Sequence, residues 1–480
     1  MRDLRDQAEA LRRAAAALEP GPDERRRLAT AVVEHAEGFL EALETGPAYW
    51  TPDDGAAMRG LDLGPEGRSI DELLALVTTE VERQGVNPAH PRDFGWVPGG
   101  GLFASALGDY LAAVSNTFAG YSPACPGAAR TEHRMVRWIA DLVGYPESAG
   151  GVLTSGGSVA ILTAILAARD ARGVASAEIP ALVVYATEEL HYAAAKALHI
   201  VGLREASWRT VPVDARRRMV PDELQRLVVE DRRKGLTPWL VLSTAGTVNS
   251  GAIDPLEAIG VIARAEGLWH HVDAAYGGFY MLVEAFRPRF RGIEQSDSVV
   301  LDPHKSLFVP YGAGAVVVRD AAHLDALRFR APYLVESETA DPSPSEQSIE
   351  LTKHFRGLRM LFPLFLHGTA PFAAALEEKV VLTRYLHERI DALDGFETGP
   401  PPELSTMCFR RRPSGSSEEE ADRATLDLQD AIHADGHVFV TGSWLNDHFW
   451  LRPCVEVFRT HATHIDALID TLERLTGASG

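Results

Sequence analysis

The sequence predicts an α/β protein: a mostly parallel sheet covered by helices on both faces, a helical segment before it and a small α+β unit after it. Three observations carry that expectation. From about Val152, short and nearly continuous apolar runs alternate with helix-length stretches, the texture of a parallel sheet buried on both faces. The first ninety residues instead show helical periodicity. The last hundred hold two strand-like segments, Thr406–Arg412 and Gly436–Val440, separated by the polar stretch Pro413–Glu420.

In the N-terminal segment, residues 1–89, Leu4, Ala8, Leu11, Ala15 and Leu18 recur at steps of four and three and make one apolar face. Pro20-Gly21-Pro22 stops that helix and Asp23 is placed to cap the next. Ser69-Ile70-Asp71-Glu72 reads as a capping box, with Gly85 as a C-cap. These amphipathic helices need a cover, either the rest of this chain or a second subunit.

The large α/β domain is expected over 90–375. VLTSG (Val152–Gly156) leads into a helix through Val159–Ala168, and ALVVYAT (Ala181–Thr187) into one from about His191. WLVLSTAG (Trp239–Gly246) leads, through Pro255 at a helix N1 position, into Leu256–Gly267. Then come WHHVDAAY (Trp269–Tyr276), SVVLDPHK (Ser298–Lys305) and AGAVVVRD (Ala313–Asp320). The stretch Val335–Gln347, polar and rich in Ser and Pro, is expected to be an exposed, mobile loop. Residues 376–480 form the small α+β domain.

Composition narrows the function. Asp plus Glu number 67 against 47 Lys plus Arg, a formal net charge of −20 over 480 residues. That balance argues against nucleic acid or an anionic membrane as partner, since both need a positive field. Three scattered cysteines with no CxxC indicate neither a disulfide framework nor a thiolate zinc site. The charged N-terminus has no apolar h-region and no run approaches a membrane span, so a cytoplasmic location is expected. The sequence holds no GxxxxGK[ST], HExxH or GxSxG motif, and no strand followed by GxGxxG. The pair His461 and His464 has metal-like spacing but no third ligand nearby, so both are read as solvent-facing and no metal is expected.

Four segments fall at ends of predicted strands, where an open parallel sheet places its ligands. Thr154-Ser155-Gly156-Gly157-Ser158 sits between strand and helix and suits a phosphate: the glycines allow close approach and the helix N-terminus offers free N–H groups. In His271–Tyr276, Asp273 ends an apolar strand, where a carboxylate needs a cationic partner such as a protonated pyridine nitrogen. Lys305, beside His304, lies in an apolar run that favours the uncharged amine, as a Schiff-base lysine requires. His191 opens a helix, where its ring is able to stack on a flat ligand. A phosphate cradle, an aspartate and a lysine together are the set that pyridoxal 5'-phosphate (PLP) needs.

These segments, with HP…F at His90–Phe94, SPAC at Ser122–Cys125, HYAAAKA at His191–Ala197, STAGTVNSGAIDP at Ser243–Pro255, HVDAAYGG, DPHKS and FRGLR at Phe355–Arg359, resemble the group II PLP-dependent amino-acid decarboxylases, the family of aromatic-L-amino-acid, tyrosine, histidine and glutamate decarboxylases. The likeness covers roughly His90 to Leu475. It implies a fold-type-I homodimer with active sites at the subunit interface. It assigns the Schiff base to Lys305, the pyridine nitrogen to Asp273, and the two ring faces to Ala275 and His191. Gly156, Gly157 and Ser158 would bind the phosphate, with Ser306 or Thr247 as further donors, and His304 would assist. The product is then the amine and CO₂.

The sequence departs from the family pattern in places. Many members carry a tyrosine on a mobile loop that donates the final proton. Val335–Gln347 contains none, Pro344 falls near the usual position, and Tyr333 precedes the loop. His191 or Tyr333 is the alternative acid. Members lacking that tyrosine divert to an oxygen-dependent, aldehyde-forming reaction, which stands as the alternative outcome. The usual Trp after the lysine is Ser306, and Ile161 replaces the usual Asn or Thr. Phe94, Trp96, Pro98 and Phe103 are expected to line the substrate pocket and suit an aromatic or large apolar L-amino acid.

Overall fold

The computed structural model describes residues 2–328 and 342–477. Its centre is a seven-stranded sheet of β1 (Gly150–Thr154), β2 (Leu182–Ala186), β3 (Ser207–Thr210), β4 (Thr237–Thr244), β5 (Trp269–Asp273), β6 (Ser298–Leu301) and β7 (Gly314–Val318). The strand order is β1-β7-β6-β5-β4-β2-β3. Strands β2 to β6 pair in parallel, whereas β7 is antiparallel to both β6 and β1. The reversal follows from the connection: residues 302–313 make turns rather than a crossover helix, so the chain returns antiparallel.

Adjacent strand residues point to opposite faces, and both faces are covered. Val184, Leu240 and Val316 pack with Ile161 and Ile165 of the helix Gly157–Ala171. Val183 and Val241 pack with Leu224, Val228 and Ile259 of the helices Pro221–Arg233 and Leu256–Glu266. Burying each such side chain contributes about 1.5–3 kcal/mol. The edge strand β3, unforeseen in the sequence, alternates half-buried and exposed residues and so lacks an apolar run. Pro255 is the N-cap of its helix rather than N1.

A second sheet holds β8 (Phe396–Thr398), β9 (Phe409–Arg411), β10 (Phe439–Leu445) and β11 (His448–Arg452), in the order β8-β9-β11-β10. The short strand Asp93–Phe94 adds to β10 in parallel. A division at residue 90 therefore does not follow the sheets, because Phe94 is buried among Leu386, Val440 and Leu451 of the C-terminal core. A division at 375 falls inside the helix Ala370–Asp391. That helix buries Phe372, Leu376 and Val380 under the large sheet and Leu382, Leu386 and Ile390 under the small one.

The N-terminal segment contains the helices Arg2–Ala14, Pro22–Ala42 and Ile70–Val77. The Ser69 capping box forms: Glu72 N donates to Ser69 Oγ at 3.2 Å and Ser69 N to Glu72 Oε2 at 2.8 Å. Gly21, not Asp23, caps the second helix, with Pro22 at N1 and Asp23 in the first turn. Gly85 is not a C-cap; it pairs in a short strand with Tyr49–Trp50. Leu4, Leu11 and Leu18 are 69, 64 and 86% exposed, so nothing among the described residues covers that face.

Two further expectations change. The end of the supposed mobile loop is anchored: Ser343, Pro344 and Gln347 are buried, and Ser122 N and Oγ bond to Ser343 Oγ and the Pro342 carbonyl, each at 3.1 Å. Of the two C-terminal histidines, His464 is buried, its Nε2 lying 3.1 Å from Glu44, rather than facing solvent. No single helix among the described residues is long and apolar enough to cross a membrane.

Strand β5 carries two buried histidines. His270 Nε2 lies 2.7 Å from Ser243 Oγ and His271 Nδ1 lies 2.8 Å from Ser298 Oγ. Burial depresses His270 from 6.5 to about 3 and His271 to about 4. Both are neutral when folded, whereas the unfolded chain protonates them below about pH 6.5. The unfolded state then binds more protons, so stability is lost as pH falls from 6.5 towards 4, by up to about 1.4 kcal/mol per pH unit for each. Denaturant titrations at pH 7 and pH 5 should show this, and His270→Gln should flatten the dependence. An unchanged slope in the variant would assign acid sensitivity elsewhere.

Candidate active site

The carboxyl ends of β1, β2, β4, β5 and β6 share one edge of the large sheet, and a cavity of roughly 350 Å³ opens there. Ser155 to Ser158 reach it from β1, Glu189 and His191 from β2, Thr244 from β4, Asp273 and Ala275 from β5, and Asp302, His304 and Lys305 from β6. Seven residues singled out in the sequence (Gly156, Gly157, Ser158, His191, Asp273, Ala275 and Lys305) and His304 thus share one wall.

The glycine turn is built for close approach. A Cβ on Gly157 would stand 2.6 Å from Asp302 Oδ2. Gly156 caps the helix that begins at Gly157, so the N–H groups of Gly157 and Ser158 lie in a first turn that offers them no helical acceptor. That cradle fits a phosphate.

Lys305 Nζ is 3.2 Å from Asp302 Oδ2, and His304 Nε2 is 3.9 Å from the same oxygen. The surroundings of the lysine are therefore less apolar than the sequence suggested. Asp302 is almost fully buried, and its Oδ1 has no hydrogen-bond partner among the described residues. Sequence reading passed over Asp302, although its place three residues before Lys305 was a usable signal. Glu189 and Thr244 were also missed: Glu189 has no motif around it, and Thr244, inside the STAGTVNSGAIDP stretch, carried no assigned role.

Asp273 is buried, with Oδ1 accepting Ala275 N at 3.1 Å. His191 Nδ1 accepts Ala193 N at 3.2 Å. Burial lowers its pKa, opposed by the charges of Asp273 and Asp302 and aided by that of Lys305. Its ring is thus neutral near pH 7. Burial likewise lowers His304, whose Nδ1 lies 2.5 Å from the Ala313 carbonyl.

Other expected residues lie elsewhere. Ser306 is fully buried and its hydroxyl donates to the Tyr276 carbonyl at 2.6 Å, away from the cradle. Thr247 Oγ1 is 2.8 Å from Ser250 Oγ and accepts Ala252 N at 3.1 Å, closing its own loop. Of the four substrate-pocket residues, none lines this cavity: Phe94 is in the C-terminal core, Pro98 is buried, and Trp96 and Phe103 are exposed. Gly99 explains the course of that stretch, since a Cβ there would come within 2.6 Å of the carbonyls of His304 and Lys305. The segment runs behind the lysine turn. Tyr333 lies outside the described residues.

A lysine amine, a buried carboxylate, a neutral imidazole and a phosphate-sized cradle on one wall are together able to hold PLP. Residues 61–412 match the family described as the pyridoxal-dependent decarboxylase conserved domain. The aromatic-L-amino-acid decarboxylase of Bacillus atrophaeus is 29% identical over 444 residues, 91% of this chain and 92% of that protein. The phenylacetaldehyde synthase of Arabidopsis thaliana is 26% identical over 411 residues, 83% of this chain and 84% of that protein. Among solved structures, the Oryza sativa TDC with PLP and tryptamine superposes with a TM-score of 0.89 at 26% identity, covering 95% of this chain and 99% of that one.

Proposed function

This chain belongs to the pyridoxal-dependent decarboxylases, and on that premise we propose that it removes the carboxylate of an aromatic or large apolar L-amino acid as CO₂ and releases the amine. It is a PLP-dependent carboxy-lyase. The observation that carries the reading is the shared cavity of Lys305, Asp273 and the Gly156–Ser158 turn.

The bound cofactor supplies a sink for the electron pair left when the carboxylate departs. The chain does the rest. The Lys305 amine would hold the cofactor through its aldehyde carbon, and the backbone N–H groups of Gly157 and Ser158 with the Ser158 hydroxyl would hold its phosphate. The buried Asp273 carboxyl would hold a proton on the pyridine nitrogen. His191, neutral, would cover the ring without adding positive charge, and would relay a proton from solvent to the substrate carbon.

The active form in this reading is a homodimer. The exposed apolar residues Leu4, Leu11 and Leu18 need a cover, as do Leu107, Leu111 and Val114 on the helix Phe103–Ser115. Trp96 and Phe103, 54 and 47% exposed, are then free to face the partner's cavity as the aromatic side of its substrate pocket.

The absence of a tyrosine from 335–347, together with a relative that is an aldehyde synthase, favours one second outcome: consumption of O₂ and water with release of CO₂, an aldehyde, ammonia and hydrogen peroxide. Incubation with a panel of L-amino acids, measuring CO₂, amine, ammonia and peroxide separately, tests both. The expected result is equimolar CO₂ and amine from an aromatic substrate, without peroxide. Stoichiometric peroxide and ammonia would establish the aldehyde branch instead.

A further inference from the structure

Behind the cavity wall lies a carboxylate that the reaction as described does not use. Glu456 is fully buried, four residues beyond the end of β11. Its Oε2 accepts the Tyr280 hydroxyl at 2.7 Å and the Ser405 hydroxyl at closer range. Ser405 Oγ is 2.6 Å from the Tyr276 hydroxyl, which also accepts Ser405 N at 2.8 Å and Thr406 Oγ1 at 3.2 Å. Tyr276 lines the cavity, and its carbonyl takes the Ser306 hydroxyl beside Lys305. Hydrogen bonds thus link Glu456 through Ser405 to the Tyr276 hydroxyl, and the Tyr276 residue itself carries that line covalently to the cavity and to the carbonyl that holds the Ser306 hydroxyl.

One proton sets the direction of that line. With Glu456 ionised, Ser405 donates to it, and Tyr276 donates to Ser405. With the proton on Oε2, the carboxyl donates to Ser405, Ser405 donates to Tyr276, and the Tyr276 proton must turn to the longer contact with Thr406 Oγ1, which then donates to Cys454 Sγ. Oε1 offers no escape, having no hydrogen-bond partner among the described residues.

We propose that Glu456 is a positioning residue for the reaction at Lys305: its protonation reverses the Ser405–Tyr276 hydroxyl line and so makes turnover depend on pH. The proposal rests on the cavity being the decarboxylation site. Burial raises the Glu456 carboxyl to about 7, against the pull of the Ser405 and Tyr280 hydroxyls and the charges of Lys379 and Lys305. Of the other groups that face it, burial pushes Tyr276 and Tyr280 well up and Cys454 to about 12, and lowers Lys379 against the pull of Glu378. Lys379 is held by the Thr460 carbonyl and by Glu378.

The test uses wild-type holoenzyme, E456Q and S405A, with kcat measured from pH 6 to 8, and the same apoproteins unfolded across pH 5 to 8. Wild-type kcat should bend near pH 7 and change by up to about tenfold per pH unit on one side. Both variants should vary by less than about twofold over that range, at unchanged cofactor content. In the apoprotein, a carboxyl raised on folding contributes stability below its unfolded value, and that contribution is lost as pH rises towards 7. E456Q should lack this loss, while S405A keeps part of it because Glu456 still titrates. A bend that persists in either variant, or an E456Q apoprotein with the wild-type pH dependence, overturns the proposal. If wild type releases CO₂ from no amino acid, the decarboxylase reading fails and the gating with it, while the apoprotein titration still reports on Glu456.

Discussion

Lys305→Ala is expected to slow decarboxylation by roughly 10³-fold or more, a barrier increase of about 4 kcal/mol. The effect is large because, in the proposed function, the cavity-lining Lys305 amine is the group that meets the cofactor's aldehyde, and Asp302, 3.2 Å away, is able to hold its proton but not replace its nitrogen. One further variant and a chemical rescue separate chemistry from folding. Lys305→Arg should be as slow as alanine, because a guanidinium does not give up its proton at working pH. Added methylamine should restore part of the alanine variant's activity by supplying the missing amine, and none of the arginine variant's. A Lys305→Ala enzyme within tenfold of wild type would remove the lysine from the reaction.

The largest stability effect should come from Lys353. Its ammonium is fully buried, forms an ion pair with buried Glu132 and donates to the Leu153 carbonyl at 3.2 Å. It ties the segment after residue 342 to β1, one residue before the TSGGS turn. Burial raises the Glu132 carboxyl, opposed by the charges of Lys353 and Arg356. Lys353→Met leaves that carboxylate buried without its partner, so the loss should be about 3–5 kcal/mol at pH 7. It should shrink at lower pH, where Glu132 takes up a proton. The double variant with Glu132→Gln should recover most of it, since removing both charges also removes the cost of burying them. Denaturant unfolding of the two variants decides; a single-variant loss below about 1 kcal/mol would mean the pair is not what holds this segment.

What the sequence made legible follows from how local each signal is. Buried parallel strands need continuous apolar runs, so β1, β2 and β4 to β7 were readable, as were Asp273 and Lys305 at strand ends. Strand β3 was hidden because it is short and half-exposed. Phe94 misled because its aromatic neighbours suggest a ligand pocket, while the chain there turns away to pair with β10, some 345 positions later. Ser306 and Thr247 had the right chemistry in the right loops, but hydroxyl direction is set by acceptors that sequence does not reveal. The Glu456–Ser405–Tyr276 line joins three distant stretches and leaves no motif. The N-terminal apolar stripe was legible as a face in need of a cover; its cover is not among the described residues.

The most direct measurement is borohydride reduction of the holoenzyme followed by peptide mapping. The account predicts one reduced pyridoxyl-phosphate group per chain, carried by the peptide that contains Lys305. A label on any other lysine, or a protein that binds the cofactor with no reducible bond at Lys305, would contradict it.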